Sequence, residues 1–170
     1  MTMAEMTEPT SLPLATTPAG PRRIGLRLAL AGLALPELID VTVGAWLVGD
    51  LSGLSAVVKL NLTLHPVLAL SALVFAAIGY VRHAILALGA AVILAWLTLI
   101  PAVGGHGYVF SILLPDSAQT IAFPLFGVCA IVLAARGERL GLATLLVGIP
   151  ILSNLLSELV FLIGVSIYGF

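Results

Sequence analysis

Charge is what this sequence has least of. Its 170 residues include only seven basic and eight acidic side chains, 9% charged in all, where a soluble domain carries about 25%. A chain with so little charge is poorly equipped to cover a water-facing surface. The formal net charge of −1 offers no basic footprint and argues against a nucleic-acid partner. Cysteine is nearly absent too. Cys129 is the only one, so no intramolecular disulfide can form, and its apolar flanks make it an expected small core residue of low reactivity. A phosphate-binding Walker loop, a Gly-x-Ser-x-Gly elbow, a His-Glu-x-x-His helix and a Cys-x-x-Cys pair are all missing. The expectation is a protein that is not an enzyme and holds neither cofactor nor metal.

What the chain has instead is apolar length. Hydrophobic residues make up 61% of it and the mean hydropathy is +1.21. These residues come in long runs rather than amphipathic stripes, as in a polytopic membrane protein. Five spans are expected, near 24–48, 66–81, 84–103, 117–135 and 140–170. Arg22, Arg23 and Arg27 precede or open the first, Arg82 separates the second from the third, and Arg136 and Arg139 separate the fourth from the fifth. With the N-terminus in the cytoplasm, every arginine falls inside and only Lys59 falls outside, as the positive-inside rule requires. The fold class expected is therefore all-α: five transmembrane helices, N-terminus cytoplasmic, C-terminus outside, with short outer cap segments. Residues 1–21, rich in Thr, Pro and Ala, read as a disordered cytoplasmic tail, and 22–170 as the transmembrane domain. A cleaved export signal around the paired arginines is disfavoured by two carboxylates in its apolar region. Arginine in place of lysine, with abundant Ala, Gly and Leu, suggests a bacterial inner membrane protein.

Several weaker signals accompany this reading. Trp46, Trp96, Tyr108 and Tyr168 fall toward the outer interface, where an aromatic belt is expected. Asp116 and Ser117, with Gln119 close behind, look like the capped start of the fourth helix. Ala87, Ala91 and Ala95 form a small-residue stripe suited to close helix packing. In "KLNLTLHP" polar and apolar residues alternate strictly, so 52–64 reads either as an extended strand or as an interfacial helix. The segment "GGHGYVFSILLPDS" is too short to span and is expected to cap the bundle from outside. His65 and His106 lie on that outer side near Asp50 and Asp116, without the fixed spacing of a metal site, and His83 sits at a cytoplasmic turn. "HPVLALSALVFAAIGYVRH" and "FPLFGVCAIVLAARGER" resemble one another loosely, consistent with a duplicated hairpin.

The candidate site rests on acids inside the apolar runs. Glu37 lies about 15 Å above Arg27 at ~1.5 Å per residue, near the middle of a hydrocarbon core about 30 Å thick. Asp40 follows three residues later on the same face. An ionised acid at that depth costs roughly 2.5–3.5 kcal/mol, so such residues face an interior or a wet cavity and mark functional positions. In the fifth span Pro150 is an expected kink, beyond which Asn154 and Glu158 share a face one turn apart. Pro36 and Pro124 interrupt their helices similarly. Proline-interrupted helices bearing acids at mid-membrane are the material of ion-coupled carriers. The expected ion- or proton-binding set is Glu37, Asp40, Asn154 and Glu158, in a small proton- or cation-linked transporter or transporter component. Two other readings stand beside it. The acids can act as protonated interhelical glue, or meet cations of a partner, making the chain an accessory or assembly subunit of a larger membrane complex. The expected partners are the lipid bilayer and either further copies of the chain or that larger complex.

Overall fold

A computed structural model describes residues 21–48, 53–98 and 116–169. Five α-helices account for them, α1 Pro21–Val48, α2 Ala56–Ile78, α3 Val81–Leu97, α4 Asp116–Arg136 and α5 Leu140–Tyr168, with no strand among the described residues. The tail 1–20, residues 49–52 and the outer segment 99–115, with Asp50, His106 and Tyr108, lie outside them. Among the described residues two helices are long and apolar enough to cross a membrane: Ala56–Ile78, of mean hydropathy 1.8, and Leu140–Ile167, of mean hydropathy 2.0. Val81–Leu97 and Ile121–Arg136 are apolar but shorter. The long apolar run of α1 is interrupted by Arg27, Glu37 and Asp40.

The ambiguous segment before Pro66 is helical. Ser55 takes an extended conformation and its hydroxyl accepts from the Val58 N–H at 3.3 Å, satisfying one of the donors a helix start leaves orphaned. Alternation in "KLNLTLHP" is therefore not strand pleat. Thr63 donates its hydroxyl back to the Lys59 carbonyl at 2.9 Å, and α2 begins ten residues before the span expected from hydropathy. Pro36, Pro66, Pro124 and Pro150 all sit inside helices that stay continuous across them.

Each helix packs on its neighbour in sequence, and α5 returns to touch α1 and α3. α3 contacts all four others and is the most enclosed, with Ala84, Ile85, Leu88 and Ala91 fully buried. Small side chains allow this packing. A Cβ on Gly89 of α3 would come 3.2 Å from the Gly127 carbonyl oxygen of α4, and one on Gly127 would come 3.1 Å from that of Gly89. A close approach of α3 and α4 thus falls at a glycine pair, beside the buried Ala87 and Ala91. Large apolar side chains point outward on the other helices, among them Leu28, Leu70, Ile121, Leu125 and Phe161. Two sequence expectations are corrected here. Cys129 is exposed, because its neighbour Ala130 is the residue α4 turns into the core. Trp96 is no belt residue either. It is buried and meets Phe123 edge-on at 4.8 Å between ring centroids.

The hairpins α1–α2 and α3–α4 are built alike. α2 ends at Gly79 (φ 94°) and α4 at Gly137 (φ 73°), where glycine tolerates the left-handed turn. The N–H of Tyr80 reaches back to the Phe75 carbonyl at 2.8 Å, and that of Glu138 to the Leu133 carbonyl at 3.1 Å, a Schellman closure in both cases. An arginine from the preceding helix then covers the remaining carbonyls. Arg27 Nε donates to Ala76 O at 3.0 Å and its Nη2 to Ala77 O. Arg82 Nε donates to Ala134 O at 2.9 Å and its Nη2 to Ala135 O. Aligning the sequence on these landmarks puts His65-Pro66 opposite Phe123-Pro124, Asn61 opposite Gln119, and Glu37 opposite Val92. The two hairpins that share this closure start one helix earlier than the hairpin of second and third spans.

Candidate functional site

Comparison with the second hairpin makes the first stand out, because Glu37 and His65 are polar where their counterparts Val92 and Phe123 are apolar. Glu37 sits one helix turn above the buried Leu33 and Ala34 of α1, which aims its side chain at α2. There Glu37 Oε2 lies 2.5 Å from His65 Nε2, with the two side chains 13% and 2% exposed. One turn earlier on α2, Asn61 Oδ1 lies 3.2 Å from His65 Nδ1. His65 Nδ1 thus faces the Asn61 amide oxygen and His65 Nε2 faces the Glu37 carboxylate, so both ring nitrogens have a polar partner.

His65 and Asn61 are the site residues that sequence reasoning missed. A segment read as a possible strand placed His65 on the outer loop side. In a helix Asn61 and His65 are one turn apart and share a face, which is the signal that was available. His65 points into the bundle, and no group of three or more His, Cys, Asp or Glu side chains suited to a metal occurs among the described residues.

The pair opens on a cavity of about 160 Å³ bounded by α1, α2, α3 and α5. Polar side chains of Glu37, Asp40, Asn61, His65, Thr98 and Asn154 line it, with Val92, Ala95, Trp96, Pro150 and Ile151 as the apolar wall. Of the four residues expected from sequence, Glu37, Asp40 and Asn154 thus meet on one cavity. Glu158 does not line it. It lies in an adjoining shallow groove between α1 and α5, with Pro36, Glu37, Asp40 and Asn154, and accepts from Asn154 Nδ2 at 2.9 Å. Asp40 is exposed and has no hydrogen-bond or ion-pair partner among the described residues. The arrangement offers an acid–imidazole contact, a carboxylate with no partner among the described residues, and amide groups around a space large enough for a small guest. No known protein family, no curated protein and no solved structure matches the chain.

Proposed function

We propose that the chain is an integral membrane protein of five transmembrane helices, N-terminus cytoplasmic, resident in a bacterial inner membrane. There it works as a small proton- or cation-linked transporter or transporter component. The observation that carries this reading is the Glu37–His65 pair, buried, in close contact and open to a polar cavity. A cation arriving beside Asp40 and Glu37 competes with His65 for the same carboxylate, and such competition is the elementary step of exchange. The position of the cavity between two hairpins of like construction also suits a carrier, whose sites lie at repeat interfaces. Asn154 and Glu158 on α5 complete the lining and its rim. The test is flux in proteoliposomes under a pH gradient, with a lumenal pH dye and Na⁺, K⁺ or methylammonium outside. Wild type should dissipate the gradient with at least one of these cations, and Glu37→Gln should not. Equal behaviour of wild type and Glu37→Gln with every cation would sink the proposal.

One observation favours the accessory-subunit reading. Asp40 and Glu158 line a groove open at the surface, where an arginine of another chain would find both acids. Mild-detergent purification separates the two readings. A stoichiometric partner lost in Asp40→Ala supports the subunit, and a homo-oligomer unaffected by that change supports the carrier.

A further inference from the structure

At the opposite end of the bundle a second cavity, of about 240 Å³, lies where the α2–α3 turn meets the starts of α1 and α5. Its lining combines Arg23, Arg82, His83 and Tyr80 with the apolar Leu26 and Leu140. Among the described residues that line it none is acidic. Behind its wall stands another cation, since the Arg27 guanidinium comes within 3.6 Å of where a Gly79 Cβ would be. Two of these groups are held in place before any ligand arrives. Arg82 is anchored by its bonds to Ala134 O and Ala135 O, which occupy only part of a five-donor guanidinium. The His83 ring is set between Tyr80, edge-on at 5.7 Å, and Phe75 at 5.4 Å. Groups fixed in advance lose little freedom on binding. The volume admits several water-sized groups, and the leucines flank the polar end with apolar surface.

The geometry points to a binding site for a phosphate-bearing anion, supplied by the headgroup of an anionic phospholipid, in the cleft of Arg23, Arg82, His83 and Tyr80. A basic pocket between helix ends, at the level where arginines gather, matches the headgroup layer of a membrane. The apolar flank suits the start of an acyl chain rather than a free ion. This site stands apart from the Glu37–His65 cavity and does not depend on transport. The test uses full-length protein in mild detergent, titrated separately with dioctanoyl phosphatidylglycerol, dioctanoyl phosphatidylcholine and inorganic phosphate. Thermal unfolding gives the affinity, and native mass spectrometry counts bound lipid. Phosphatidylglycerol should raise Tm saturably and phosphatidylcholine should not. Arg23→Gln/His83→Gln, which leaves the Arg82 anchor intact, should bind phosphatidylglycerol roughly tenfold more weakly. If the double variant does not fold, the exposed single change Arg23→Gln gives the same comparison with a smaller loss. A saturable shift from inorganic phosphate, lost in the variant, also supports the anion site and assigns the free ion as its source. Equal responses to the two lipids, or undiminished phosphatidylglycerol binding by the variant, would overturn the assignment.

Discussion

At the residue scale the decisive contact is Glu37 with His65, and its strength says what kind of contact it is. Neutral interhelical hydrogen bonds within membranes average about 0.6 kcal/mol and reach about 1.7. Breaking a buried charge pair from one side costs about 3–5 kcal/mol, because the remaining charge stays behind unpaired. His65→Leu is therefore expected to destabilise by about 3 kcal/mol if Glu37 then carries its charge into the bundle. Glu37→Leu/His65→Leu should cost less than that single change. A double-mutant cycle, read by unfolding in mixed micelles, checks both points, and a coupling under about 1.7 kcal/mol would reduce the pair to an ordinary hydrogen bond. Arg139 gives a second expectation. It starts α5 in the left-handed conformation at φ 44°, which costs a side-chain-bearing residue roughly 1–2 kcal/mol. Arg139→Gly should recover about 1 kcal/mol of stability in the same assay. The acids of this site were legible because a carboxylate in an apolar run stands out by itself. His65 was not, since its meaning depends on α1 packing against α2, a relation between residues far apart in the chain.

At the element scale the hairpins are closed by one device used twice. Arg27 and Arg82 each span two successive carbonyls at the end of the following helix, where the helix dipole also favours a cation. Hydrogen bonds involving a charged group contribute about 1.5–3 kcal/mol, so Arg27→Gln and Arg82→Gln should each lower stability by about that much. Lysine should rescue neither fully, because a point charge cannot reproduce the fork of a guanidinium. Unequal losses, with one near zero, would show that the two hairpins are alike in form only. The glycine pair of α3 and α4 belongs to the same scale. Gly127→Leu forces a side chain against Ile93 and the Gly89 backbone, with an expected loss of about 1–3 kcal/mol from overpacking. Four of the five helices were legible from hydropathy and the arginine punctuation to within a few residues. The start of α2 was not, because polar residues at every second position satisfy a strand's period. Only the Ser55 cap and the Asn61–His65 turn decide for the helix. The arginines gather at one end of the bundle, but their role as caps needed the neighbouring helix end in view.

At the scale of the whole molecule, packing bears on how many helices cross in the proposed membrane arrangement. α2 and α5 qualify by length and hydropathy, and the packing links the others to them. Arg27 ties α1 to the end of α2, and Arg82 ties α3 to the end of α4, so paired helices keep their ends level. α3 touches every other helix and follows wherever the rest of the bundle goes. α1 and α4 present Leu28, Leu35, Ile39, Ile121, Leu125 and Val132 outward, a surface that water would penalise and lipid would not. In the proposed five-span arrangement the five helices share one slab, and the charge distribution orients it. Arg22, Arg23, Arg27, Arg82, Arg136 and Arg139 all lie at one end, while Lys59 lies near the start of α2 at the other. The five-span reading then predicts opposite locations for two reporters. A green fluorescent protein fused after Glu138 should fluoresce, because that turn is cytoplasmic. An alkaline phosphatase fused after Phe170 should be active, because the C-terminus is outside. Replacing Arg82, Arg136 and Arg139 by Gln should weaken this bias and give mixed reporter signals, as the charge rule requires. If instead only α2 and α5 crossed, an even number of spans would return the C-terminus to the side of the N-terminus. An inactive phosphatase after Phe170, with a fluorescent protein glowing at the same position, would therefore remove the five-span arrangement.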